Sequence, residues 1–405
     1  MNNRQPPTYA DFPRAAGALR DMLAAGELGF LGSAVSHWHA LGVEAWVKHL
    51  RDGGDERPGA VVLIPHARDG LLIGPEDLPF CRADGRVTLL AVRQILGVGG
   101  VRRLAAAARL SPRLLRLWLA RPGADAGEPL PVASVQDTAA GVFALAAMGA
   151  ARLLRRRAVR FVVLDEGLGS YTDPHVKRHG PMLERPREGR IVPVRWLDGL
   201  LYAAWHGLER RIAAGYDVEH RFAFRRTPSG ELAANGPVAA DYAAVTRLGA
   251  DPAAWPARRG RPVALVLPQP YSEARQVDAA AERAALEGVV RRLEAAGFDV
   301  WLKPHPRERA GKYDGEAGEW CRLLGGAQAV ERLLAALGAG DVVVSINSTA
   351  LLTARLLFGL DCCTYGPALL RGRQAGRLLR DAQGNFQTLA GLGVEDFDRR
   401  FGPLT

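Results

Sequence analysis

Cysteine is scarce in this chain: four in 405 residues, at Cys81, Cys321, Cys362 and Cys363. None has a metal-ligand spacing, and the adjacent pair Cys362-Cys363 makes a poor structural disulfide, so zinc modules and disulfide-stapled domains are excluded and a reducing cytoplasm is expected. Long apolar runs are missing too. No stretch reaches the roughly 18 to 20 residues of a membrane span, and MNNRQPPTYADFPR at the N-terminus lacks the apolar core of a signal peptide, so a cytoplasmic location is expected. No GxGxxG opens the first helix and no Walker sequence occurs, which argues against dinucleotide enzymes and P-loop NTPases. Zinc-finger spacings, aromatic RNP-like strands and low-complexity basic tails are absent, so no nucleic-acid partner is expected. No DxD-like pair sits in a loop suited to holding a divalent ion against a diphosphate. Neither a metal nor a cofactor is expected.

What is present is an ordinary globular composition, 48% hydrophobic and 24% charged. The length exceeds that at which one core stops growing, so two domains are expected. The net charge of +10, mostly arginine, favours an acidic partner such as a nucleotide sugar, an anionic lipid or a polyanion. Two segments concentrate it: 101–121, which mixes arginines with Leu, Ala and Trp118, and 152–160, with Arg155-Arg156-Arg157. The first reads as a solvated helix face, or as a basic amphipathic segment on an anionic inner-membrane surface that would make the protein peripheral.

The pattern along the chain is a β-α-β rhythm, with strands expected at 28–35, 60–65, 87–92 and 158–164 and a helix at 40–50. A helical stretch follows at 191–214, then a short hairpin around Arg221 to Gly230. Residues 251–262, with three prolines and little periodicity, read as an interdomain connection. The rhythm restarts after it, with strands at 263–267, 298–302 and 341–345 and helices at 278–296, 328–337 and 350–358. The expected fold class is therefore α/β, two Rossmann-like domains facing a central cleft as in GT-B glycosyltransferases, divided as 1–255 and 256–405.

Three polar islands follow strand-like runs, where α/β sheets present ligands. Asp165 and Glu166 end the run Phe161 to Leu164 and are followed by Gly167, which permits tight turning and close ligand approach. One carboxylate facing a ligand can take a proton from an incoming hydroxyl; the alternative is a carboxylate that only caps or salts the turn. His305 stands between Pro304 and Pro306, flanked by Lys303 and Arg307, in a loop that proline stiffens. A positioned imidazolium can stabilise a departing phosphate. Ser348 and Thr349 open a helix and offer hydroxyls and free N–H groups to a phosphate, although an ordinary N-cap looks the same.

In their order, Asp165-Glu166-Gly167, His305-Pro306 and Ser348-Thr349 resemble the (Asp/Glu)-(Asp/Glu)-Gly, His-Pro and Ser-Ser/Thr motifs of bacterial sialyltransferases, in particular the polysialyltransferase and lipooligosaccharide sialyltransferase families. The loop Ser36-His37-Trp38-His39 is similar to the opening β-α loop of such enzymes, with Ser36 and His37 on the acceptor side. The resemblance spans about residues 28 to 360. It implies a CMP-activated nonulosonic acid as donor and a glycan hydroxyl as acceptor, in capsular polysaccharide or lipooligosaccharide. It assigns base catalysis to Asp165 in preference to Glu166, phosphate departure to His305, and donor binding to Gly167, Lys303, Pro306, Ser348 and Thr349. Glu331 matches a glutamate that grips the ribose hydroxyls. Thr349 stands where many relatives have a second serine. Three alternatives remain at this point: transfer from CMP-Kdo, a CDP-glycerol or polyol-phosphate transferase of the same fold, and a non-catalytic subunit of a capsule assembly complex.

Overall fold

The computed structural model describes residues 25–64, 73–91, 128–135, 159–165, 217–250, 260–273, 277–306, 322–325, 329–371 and 383–404, with isolated positions between them, among them Gly167, Tyr171, Trp255, Glu308, Lys312 and Tyr313. The basic segment 101–121, the helical stretch 191–214 and Glu166 lie outside the described residues. Among the described residues no helix is long and apolar enough to cross a membrane.

The chain divides into two compact units: residues 5–166 with 185–222, and 1–4, 167–184 and 223–405. The sheet of the first unit contains β1 (Phe30–Ala34), β2 (Gly59–Leu63), β3 (Val87–Ala91), β4 (Leu130–Ser134), β5 (Val159–Leu164) and β6 (Asp217–Arg221). All pair in parallel in the order β3-β2-β1-β4-β5-β6. A parallel sheet is covered on both faces, and β1, β2 and β4 are buried at every residue. The helix His37–Asp52 supplies Val43, Trp46 and Val47 to that core. At the carboxyl ends of the central strands the Ser33 hydroxyl donates to Ser134 at 3.0 Å, pairing two buried polar groups that would otherwise oppose folding.

The second unit adds a two-stranded antiparallel hairpin, β7 (Phe224–Arg226) and β8 (Leu232–Ala234), and then repeats the same topology. Its sheet consists of β9 (Val263–Leu267), β10 (Asp299–Leu302), β11 (Arg322–Leu323), β12 (Val342–Ser345), β13 (Asp361–Thr364) and β14 (Glu395–Asp396), parallel in the order β11-β10-β9-β12-β13-β14. Val342, Val343 and Val344 are completely buried, each stabilising the sheet by about 1.5–3 kcal/mol. Asp341 accepts from the Val263 amide at 2.7 Å at one end of this pair, and the Ser345 hydroxyl donates to the Leu267 carbonyl at 2.7 Å at the other. Each unit thus has the Rossmann strand order, and the fold is the α/β type built from two Rossmann-like units that defines GT-B enzymes.

The division falls after Phe222, earlier than the 255/256 boundary expected from the prolines. The reason is packing. The hairpin and the helix Gly236–Leu248 belong to the second sheet's unit, and the Trp255 indole donates to the Leu333 carbonyl at 3.2 Å. Five strands escape the sequence pattern. β4 contains Pro131, which argues against a central strand, and β6 reads Asp-Val-Glu-His-Arg, polar because it forms an edge. β11 and β14 are two-residue strands too short for any periodicity, while β13, Asp-Cys-Cys-Thr, lacks the branched apolar run that marks its neighbours.

Candidate active site

In a sheet of this order the chain leaves the central strand in opposite directions, opening a crevice beyond the carboxyl ends on either side of it. In the second unit that strand is β9, flanked by β10 and β12. The loop after β10 is Lys303-Pro304-His305, and the loop after β12 is Ile346-Asn347-Ser348. The sheet topology therefore brings the second and third islands to the same edge of one sheet. The Lys303 amide donates to Val266 at 3.0 Å, carrying the ladder one residue past β10 before the prolines end it.

Glu308 fixes the main chain of His305 from both sides. Its carboxylate Oε2 accepts the His305 amide at 2.7 Å, and its own amide donates to the His305 carbonyl at 2.9 Å. The imidazole is half-buried on a backbone held independently of the ring. Pro306 beside it is exposed. Burial pulls the Lys303 ammonium below its usual range, and the nearby carboxylate of Glu331, itself buried in the helix Val330–Leu334, opposes that shift.

Ser348 is the N-cap of the helix Thr349–Phe358, its hydroxyl accepting the Ala350 amide at 3.2 Å. That bond takes one first-turn donor and the Leu351 amide donates to the Ser348 carbonyl at 3.0 Å, while the helix dipole still favours an anion. The preceding turn is pinned where the Thr364 hydroxyl donates to the Ile346 carbonyl at 2.6 Å and the Tyr365 amide to the Ser345 carbonyl at 3.1 Å. Gly167 belongs to this same unit and touches the same helix end. Its φ is +97°, and a Cβ there would lie 2.5 Å from Thr349 Oγ1, so glycine is required both by backbone and by space. Tyr171 anchors the segment: its hydroxyl accepts the Phe224 amide at 3.1 Å and its ring meets Phe224 edge-on.

In the first unit Asp165 directly follows β5 and is completely buried. Ser36 caps the helix His37–Asp52, its hydroxyl accepting the His39 amide at 3.3 Å. His37 Nε2 lies 3.5 Å from the buried Asp77 carboxylate, which also accepts the Gly74 amide at 2.9 Å. Both side chains therefore have structural partners at the carboxyl end of β1, and the same helix sends Glu44 to the Phe80 amide at 2.8 Å.

Residues 257–366 match the family model of the α-2,8-polysialyltransferases. Over that segment the chain is similar to the polysialyltransferases. The polysialyltransferase-like segment runs from before β9 to the end of β13 and contains Lys303, His305, Pro306, Glu331, Ser348 and Thr349; Asp165 and Gly167 precede it. No curated protein matches the sequence. Among solved structures, the chain is similar to an α/β-galactoside α-2,3-sialyltransferase from Photobacterium phosphoreum, with 8% identity over 91% of this chain and 98% of that one and a TM-score of 0.45. It is similar to the GT-B domain of a Photobacterium damselae sialyltransferase, with 11% identity, 90% and 97% coverage and a TM-score of 0.41. A third likeness is to the Escherichia coli ADP-heptose LPS heptosyltransferase II, with 14% identity, 83% and 84% coverage and a TM-score of 0.34.

Sequence reasoning left out the groups beneath the polysialyltransferase-like loops. Tyr271, in the loop after β9, is pushed up to about 12 by burial. Glu308 and Lys312 are four apart, a spacing visible in the sequence, but nothing in it shows that Glu273 and Glu282 converge on the same ammonium.

Proposed function

We propose that this glycosyltransferase moves a sialic acid or related nonulosonic acid from a CMP-activated donor to a hydroxyl of a cell-surface glycan, capsular polysaccharide or lipooligosaccharide. The observation that carries the reading is the convergence of the His305 and Ser348 loops on the carboxyl edge around β9, inside the segment that matches the polysialyltransferase family. One phosphate of a CMP-sugar suits the anion-favouring start of the helix Thr349–Phe358, with the Ser348 and Thr349 hydroxyls and Lys303 beside it. Glu331 is assigned to the ribose hydroxyls. The carboxylate of Asp165, or Glu166 next to it, takes the acceptor proton as the new C2–O bond forms. The bond from C2 to the phosphate oxygen breaks in the same inverting displacement, through an oxocarbenium-like transition state, and CMP departs as His305 stabilises its charge. No step requires a metal. Arginine-rich surface charge favours a polyanionic acceptor and peripheral contact with an anionic inner membrane.

Product analysis tests the reading. With CMP-Neu5Ac and a panel of galactosyl and sialyl acceptors, the expected products are CMP and a glycoside. Turnover of CMP-Kdo alone would replace the donor sugar, and a phosphodiester product from CDP-glycerol would replace the reaction. No turnover with any donor, together with no nucleotide binding, would leave a binding subunit.

A further inference from the structure

The loop that bears His305 is tied down by a cation belonging to the protein itself. Lys312 Nζ lies 2.9 Å from Glu308, 2.8 Å from Glu282 and 3.1 Å from Glu273, and 3.3 Å from the Ser272 hydroxyl. The side chains of Glu282 and Glu308 are 1% exposed, and that of Lys312 is 18% exposed. Tyr313 adds a hydrogen bond to Glu308 at 2.7 Å, and Ser272 donates to Glu282. Tyr365, completely buried, is near both Glu282 and Glu308.

Three carboxylates thus surround one ammonium, and two of them have almost no water to fall back on. A buried carboxylate without a counter-ion either takes up a proton or moves toward solvent. Glu308 is the carboxylate that holds the His305 amide, so a loss of charge at Lys312 is delivered directly to the histidine's main chain. Ser272 and Glu273 lie in the loop after β9, and Glu273 also accepts the Arg309 amide at 3.3 Å. The one ammonium therefore joins the loops after β9 and β10.

We propose that Lys312 is a positioning residue for the transfer reaction, setting the His305 loop through Glu308. The catalytic consequence rests on the transferase reading of His305; the positioning itself does not. Burial raises the Glu308 carboxyl above its ordinary range even with Lys312 in place, and the bonds to Glu282 and Glu308 raise Lys312 against its own burial.

The test compares full-length Lys312→Met and Lys312→Arg with wild type. The first readout needs no turnover: the imidazole Cε1–H NMR signal of His305, assigned by its loss in His305→Gln. Lys312→Met is expected to displace that signal and its response to added CMP while circular dichroism stays native. In the turnover assay kcat should fall on the order of 10²-fold, the scale of a small misplacement of a reacting group, and Lys312→Arg should recover most of it. If Lys312→Met does not fold, Glu308→Gln, which keeps shape and an acceptor, should show the same displacement. An unchanged His305 signal in a folded variant, or a kcat loss equal to the unfolded fraction, overturns the proposal. A displaced signal in a protein that transfers no sialic acid upholds the positioning role and rejects the donor reading.

Discussion

Asp165→Asn is expected to lower kcat by about 10²–10⁴-fold, the contribution typical of a general base, while CMP affinity stays within about threefold. The substitution keeps the size of the side chain and most of its hydrogen-bonding capacity, so the completely buried site after β5 should remain packed. Asp165 also lies outside the polysialyltransferase-like segment and in the other compact unit from His305 and Ser348. Nucleotide binding and turnover should therefore separate. Calorimetric titration of CMP alongside initial rates of CMP release checks this; a parallel fall in both would make Asp165 a structural carboxylate, and a full rate would shift the base to Glu166.

His305→Ala should cost about 10²–10³-fold in kcat, the size expected when one preorganised charge-stabilising group is removed from a leaving oxyanion. The loop should survive the change, because Glu308 grips the amide and carbonyl of residue 305 and not its ring. Added imidazole is then expected to restore part of the rate, since the space and its surroundings persist. Initial rates of CMP release with and without imidazole decide it. A variant with wild-type kcat removes the imidazole from the reaction.

The central strands of the second unit, β9, β10 and β12, were legible. Val263–Leu267 and Val342–Ser345 are short, valine-rich and buried, so the apolar runs mark them, and the polar islands after them necessarily sit at the carboxyl edge of a parallel sheet. In the first unit β4 was hidden by Pro131 and β6 by its charges, yet these two strands help complete the strand order that reveals the Rossmann topology. Single residues were read less completely than motifs. Ser348 was read as a phosphate site or an N-cap and Ser36 as an acceptor-side residue, and the geometry shows both serving as caps. Lys312 could not be found from the sequence because its partners are set by the third dimension: Glu273 lies 36 positions from Arg309, whose amide it accepts, and Glu282 lies 30 from Lys312. Gly167 illustrates the same limit, since the sequence reads it as permitting a turn and close ligand approach but does not show its closeness to Thr349.

The central claim is that the second unit holds a cytidine monophosphate donor, and equilibrium binding tests it most directly. Calorimetric titration of the wild-type chain with CMP, UMP, AMP, UDP and ADP should give one site that prefers CMP by at least about tenfold, equivalent to about 1.4 kcal/mol. Tighter binding of UDP or ADP than of CMP would contradict the account by requiring a diphosphate-linked donor, whatever the acceptor proves to be.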